Sequence, residues 1–343
     1  MTEIRPIRGF EDIWRPVANH RAFAKDAIIA TGSPIATKAR LARIVVRAPE
    51  VVVKVTGATR GAKGLKAHLD YISRRGDLPL EGRGGEVLVS RQAQQELAAD
   101  WAWGADVDGR RQERTPLSRS LVVSMPEGVS PDEVFAAARE FVAASFGQKF
   151  DYVLAPHLDV GHPHVHVAVR ALGDSGERLN PSKADLDQWR QTFAEALRVR
   201  GVEAEATPRR ARGVVIKSER TTVRMMRERH ELGLGDEPRV LAAAREQAAR
   251  AASEPPHDAD PWNVQLRERW MTTRAAYGLA AKLLAKSPDP ADQALSLKVA
   301  SFALSMPAPE NRFHLLAKEL REARARGPAN REHQIARDEG HER

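Results

Sequence analysis

The sequence predicts an α+β fold, an antiparallel β-sheet with helices packed on it, followed by an α-helical C-terminal region. Three observations carry that expectation. Short β-branched runs alternate with amphipathic segments through about residue 210 of the 343. Two of those runs, 150–157 and 164–170, are separated only by Leu158 to Pro163, as in a hairpin. From about residue 215 the composition turns to Ala, Arg, Glu and Leu at helical spacing.

Taken in order, residues 1–48 show no clear period and read as an extension with little structure of its own. Val51-Val52-Val53-Lys54-Val55 reads as a buried strand that ends at Thr56-Gly57. A helix over about 64–75 follows, with Leu65, Leu69 and Ile72 on one face and Gly76 as its stop. Val87-Leu88-Val89 reads as a short strand, and Ser90 as the cap of a helix carrying Leu97 and Trp101 to Gly104. Ser120 to Met125 is a further strand. Ser130, Pro131 and Glu133 together spell a helix start with a capping box, and Gly147 ends that helix. After the hairpin pair, Asn180 to Asp185 opens a helix with Leu186, Trp189, Phe193 and Leu197 on one face. Helical patterns then recur at about 218–232, 238–252, 263–286, 290–304 and 310–326, without a fixed-period repeat. The expected division is an extension over 1–48, an α+β domain over 49–214, a helical domain over 215–326 and a disordered polar tail over 327–343.

Composition excludes several kinds of chemistry. Cysteine is absent, so there is no disulfide scaffold, thiolate nucleophile, iron–sulfur cluster or Cys-based zinc site. A metal would have to sit on His, Asp or Glu. No run of roughly 18 apolar residues is present, so no membrane span is expected. The N-terminus has no apolar signal core, and a cytoplasmic protein is expected. The net charge of +8 points moderately toward polyanionic partners.

Four of the eleven histidines fall within HLDVGHPHVHV, 157–167. On a strand, side chains alternate between faces. His164 and His166 therefore share one face, and Val165, Val167 and Val169 take the other. If 150–157 pairs with 164–170 as a hairpin, His157 meets both. Three imidazoles then converge on one divalent ion and leave positions open for substrate. Asp159 shares the parity of His157 and is placed to fix the tautomer of a ligand imidazole. One strand histidine alone would read as solvent-facing. His162, in a Pro-flanked turn, is a better candidate for phosphate contact than for metal.

Tyr71 is one of three tyrosines and lies one step off the stripe of its helix. Its helical neighbours are His68, Arg74 and Arg75, which makes it a candidate for facing an anionic ligand. Taken alone, it would read as a half-buried packing residue. Tyr152 alternates with Phe150 and Leu154 and reads as core, and Tyr277 sits among Ala-rich helices. Two basic clusters are candidates for contacting a nucleic-acid backbone: Arg60, Lys63, Lys66, Arg74 and Arg75 around Tyr71, and Arg209, Arg210 and Arg212 farther on. Solvated surface charge is the competing reading of both.

Together these segments resemble the HUH-type relaxases, mobilisation nucleases that start conjugative DNA transfer. The likeness is to the class that includes the Ti-plasmid border endonuclease. HLDVGHPHVHVAV resembles the family's histidine motif, and HLDYISRRG, 68–76, its nucleophile motif. LVVSMPEGVSPDEVFAAAREF, 121–141, resembles its Ser-x-Pro-x-Gly motif through Ser124, Pro126 and Gly128. The likeness covers about 50–210. It implies an HUH-endonuclease fold, His157, His164 and His166 as ligands of a divalent metal (magnesium or manganese), Asp159 as their support, and Tyr71 as the nucleophile.

The implied reaction is strand-specific nicking at a plasmid origin of transfer, leaving a 5′-phosphotyrosyl bond and a free 3′-hydroxyl. The implied partners are single-stranded origin DNA, auxiliary mobilisation proteins, a coupling protein and a type IV secretion apparatus. Passage with the DNA into a recipient cell is also implied. One departure is Arg170, where the family often has Asn after the histidine strand. Three other readings are a rolling-circle replication initiator with the same chemistry, a histidine-triad nucleotide hydrolase, and a non-catalytic DNA-binding accessory protein.

Overall fold

One sheet holds six antiparallel strands. They are β1 (Val52–Thr59), β2 (Leu80–Gly82), β3 (Val87–Leu88), β4 (Ser118–Ser124), β5 (Tyr152–His157) and β6 (His164–Arg170). Their order across the sheet is β1-β4-β6-β5-β2-β3. The computed structural model describes residues 34–157, 161–214, 219, 221–253, 261–307, 309–310 and 312–325. The expectations for 1–33, for Asp159 and for 327–343 lie outside them.

Strand parity sorts the core into two layers. Val53, Leu121, Val123, Leu154, Val165, Val167 and Val169 face α4 (Pro131–Phe146) and α5 (Lys183–Val199), with Phe141, Phe146, Trp189 and Phe193 filling the space between. On the other face, Val153, Ala155 and Ala168 meet Leu65, Leu69 and Ile72 of α2 (Ala62–Ile72). Ala98, Trp101 and Ala105 of α3 (Arg91–Asp106) complete that layer. Trp101 Nε1 donates to Asp151 Oδ2 at 2.7 Å, which ties α3 to the start of β5. The histidines project into this second layer because they share the parity of Ala155 and Ala168.

Caps fix where the helices begin. Ser90 and Ser130 each accept a hydrogen bond from the third residue of their helix. The expected capping box of α4 is only half made, since the Glu133 carboxylate pairs with Arg200 instead. The complete box lies at α5, where Ser182 accepts from Asp185 N and Asp185 accepts from Ser182 N.

The expectation of little structure over 1–48 fails at its described end. Pro34–Val45 is a helix, α1, with Leu41 and Ile44 buried. Arg43 Nε donates to the buried Glu205 at 2.8 Å, and Arg40 Nη2 donates to Ala206 O at 2.8 Å. Residues 49–51 continue the attachment, for Glu205 N donates to Pro49 O and Val51 N to Glu205 O. Two buried apolar residues among the described side chains of one short helix are too sparse for a period to register, and distant partners supply the rest. Ile44→Ala is expected to destabilise this unit by about 2–5 kcal/mol, the usual range for emptying a buried Ile site. The shift of its urea midpoint measures this, and an unchanged midpoint would detach α1 from the fold.

The chain divides into two compact units at Pro208/Arg209. The second contains α6 (Thr221–Glu231), α7 (Arg239–Ser253), α8 (Pro261–Ala285), α9 (Pro290–Leu304) and α10 (Arg312–Ala325). Within it α8 packs on α9 and α7 on α10. Tyr277 is core here. Its hydroxyl donates to Ala211 O at 2.6 Å, and its ring stands edge-on to Phe302 at 5.1 Å. No helix among the described residues is long and apolar enough to cross a membrane.

Candidate metal and nucleophile site

Register brings the histidines together. β5 and β6 pair with His157 opposite His164 and Ala155 opposite His166. The ring centroids of His157, His164 and His166 are 4.5–5.1 Å apart, and each residue offers a ligand atom within 4.8 Å of the others. Among the described residues this is the only group so placed. His157 and His166 are buried and His164 half-buried. Burial, reinforced by His157, His164 and His68, holds the pKa of His166 down to about 3. His166 is therefore a neutral imidazole at physiological pH, the form that ligates metal. His164 Nδ1 donates to His162 O at 3.0 Å, which orients the ring. The donor set fits a divalent ion; three imidazoles suit manganese or zinc better than magnesium, which prefers oxygen.

Ser124 of the Ser-x-Pro-x-Gly segment lies opposite His164 on β4. Met125 N then donates to Pro163 O at 3.2 Å, pinning the loop that carries His162. Gly128 turns the chain toward α4 with φ 91°, a conformation glycine adopts without a Cβ clash.

Tyr71 is 65% exposed at the C-terminal end of α2, and its ring stands edge-on to His166 with centroids 5.6 Å apart. His157 Nε2 donates to Ile72 O at 2.8 Å, so the last turn of α2 touches the histidine cluster directly. Tyr152 is 5% exposed in the opposite layer, as its parity with Phe150 and Leu154 requires. His68 adds a fourth histidine beside the three. Its Nδ1 lies 3.4 Å from Ser120 Oγ, and burial lowers its pKa.

The basic residues are distributed differently from the expectation of a ring around Tyr71. Arg74 and Arg75 flank it, Lys66 lies about 7 Å along the helix axis, and Lys63 about 12 Å. Arg60 sits beyond the start of α2, its carbonyl held by Arg111 Nη2 at 2.6 Å. His162 is exposed. Arg209 and Arg212 fall in the second unit rather than at the end of the first, and the Arg210 side chain lies outside the described set. Arg170 ends β6 six residues from His164, about 20 Å away, opposite Ser118; it does not enter the site. Sequence reading missed Arg91, which donates to Asp70 beside Tyr71 through Nε at 2.9 Å and Nη2 at 2.7 Å. The adjacency of α2 and α3 that brings them together leaves no trace in either segment alone.

Residues 81–202 match the family model of the MobA/VirD2-like relaxase nuclease domain. That span includes the three histidines and Ser124, Pro126 and Gly128, and begins after Tyr71. The T-DNA border endonuclease VirD2 of Rhizobium radiobacter is 29% identical over 186 residues, 48% of this chain and 43% of that protein. The proteins of the same name from Rhizobium rhizogenes and Agrobacterium fabrum are each 29% identical over 185 residues, covering 42% and 41% of their lengths. The chain thus spans less than half the length of the curated relatives it matches. A solved structure from work on vancomycin resistance transfer in Staphylococcus aureus covers 47% of this chain and 98% of its own at 13% identity. Its TM-score of 0.31 is too low to bear on the fold.

Proposed function

We propose, from the premise that this chain carries a relaxase nuclease domain of the MobA/VirD2-like kind, that it nicks one strand of plasmid DNA to start conjugative transfer. The observation that carries the reading is the exposed Tyr71 ring set against His166 of a three-histidine cluster. In the proposed reaction Tyr71 Oη attacks a phosphodiester. An O–P bond to the tyrosine forms, the P–O3′ bond breaks, and the phenolic proton is passed on so that the 3′ oxygen leaves as a hydroxyl. The phosphoester is conserved in the 5′-phosphotyrosyl bond, and the step is therefore reversible.

His157, His164 and His166 would hold the divalent ion. Such an ion supplies Lewis-acid polarisation of the attacked phosphodiester, which compensates for a phenol that is a weak nucleophile near its usual pKa of about 10. Asp159 is proposed to support the histidines. Single-stranded origin DNA is the proposed substrate, contacted by Arg60, Lys63, Lys66 and His162 as well as by the arginines after Tyr71. Incubating the chain with single-stranded origin DNA and manganese should give a covalent protein–DNA adduct that survives denaturation. Its absence from every strand of the parent plasmid would overturn the reading.

The helical unit is proposed to serve auxiliary mobilisation proteins, the coupling protein and the type IV secretion apparatus, with its Arg-rich helices as the contact. A chain ending at residue 215 should then still nick short single strands at close to the full-length rate. A truncated chain that folds, by its far-ultraviolet circular dichroism and melting, yet does not nick would tie the helices to the chemistry.

A further inference from the structure

Three consecutive left-handed residues follow Tyr71 and its neighbours: Arg74 (φ 51°), Arg75 (φ 63°) and Gly76 (φ 99°). Glycine adopts this conformation freely, whereas an arginine adopts it against its own Cβ. The surrounding structure holds the turn in place. Ser73 is fully buried; its hydroxyl donates to Gln94 Oε1 at 2.8 Å and accepts from Gly76 N at 3.1 Å. Leu78 N donates to Ser73 O at 2.8 Å. Gly76 also lies against α3, where a Cβ would meet Arg91 Cβ and N at 3.6 Å.

The turn borders a cleft of about 630 Å³ lined by Ala67, Asp70, Tyr71, Arg74, Arg75, Arg91 and His157. Three arginines line it against one aspartate, and Arg91 engages both oxygens of that carboxylate. The cleft therefore has a positive balance. Its walls include both the proposed nucleophile and a proposed metal ligand. The cleft thus adjoins the space between Tyr71 and the histidines.

We propose that the 73–76 turn and Arg91 form a seat for the phosphate next to the attacked one in the bound single strand; this rests on the reading of the chain as a DNA-nicking nuclease. Local strain held by a buried lock, at the edge of a reactive site, is what a side chain retained for binding produces. Guanidinium is the group suited to a phosphate in that position, since it presents several donors in a fixed fork.

The test uses the full chain and a fluorescein-labelled oligothymidine of twelve nucleotides, titrated by anisotropy at several KCl concentrations. Arg74→Gly/Arg75→Gly relaxes the turn while deleting both charges, so its melting temperature should hold or rise. Its affinity at low salt should fall roughly tenfold, and its salt slope should become shallower by about 0.7, the value for one lost phosphate contact on a single strand. Arg91→Ala should act in the same direction. Arg139→Ala on α4, in the layer across the sheet, should leave both slope and affinity unchanged. A salt slope unaltered in Arg74→Gly/Arg75→Gly, with the wild-type chain still forming its adduct, would overturn the seat and leave the nuclease reading intact. A wild-type chain that neither binds the strand nor forms an adduct would overturn both.

Discussion

Tyr71→Phe is expected to abolish the covalent protein–DNA adduct completely while leaving the fold and single-strand binding in place. The substitution removes one oxygen from a ring that is 65% exposed. The edge-on contact with His166 belongs to the ring and survives in Phe. Stability should therefore change by no more than about 0.5 kcal/mol, as for surface substitutions that touch no special feature. A denaturing gel with labelled DNA reads the adduct, and peptide mass spectrometry of the wild-type adduct locates it. Tyr152 is the competing tyrosine, and its burial among α4 and α5 side chains gives it no path to the histidines. A nucleotide found on Tyr152, or on any histidine, would overturn the assignment and favour the histidine-triad chemistry instead.

Much of this site was legible because strand periodicity does not depend on distant context. Once 150–157 and 164–170 are strands, alternation alone places His164 and His166 together and sends Val165, Val167 and Val169 to the other layer. Tyr71 is a partial case: helical spacing puts it off the Leu65/Leu69/Ile72 stripe, but on that spacing alone it reads as a half-buried packing residue, whereas it is 65% exposed. Helix starts at Ser90 and Ser130 were legible because a cap is a local hydrogen bond.

What was not legible depends on partners far along the chain. α1 is held by Glu205, more than 160 residues away. Arg91 reaches Asp70 only because α2 and α3 pack side by side. The Arg74-Arg75 turn reads in sequence as a helix running to Gly76. Its left-handed course is imposed by Ser73 and Gln94, whose pairing is tertiary. The capping box was misassigned for a related reason: Ser130 and Glu133 have the right spacing, but Arg200 competes for the carboxylate.

His164→Ala is the sharper of the possible tests of the metal site. His157 and His166 are buried, so removing either also empties space under α2 and, for His157, breaks the bond to Ile72 O; lost activity would be ambiguous there. His164 is half-buried, and its described hydrogen bond is to the carbonyl of His162 in its own loop, so its loss should cost little stability. Removing a partner behind a ligand typically weakens metal binding by roughly 10–100-fold, and removing one of three ligands outright should exceed that range. Calorimetric titration with manganese should show the loss, and cleavage should fall with it. Chelation of the wild-type chain should stop cleavage in the same way and be reversed by added manganese. A His164→Ala chain that binds manganese and cleaves like the wild type would show that the convergence of the three imidazoles serves packing rather than chemistry.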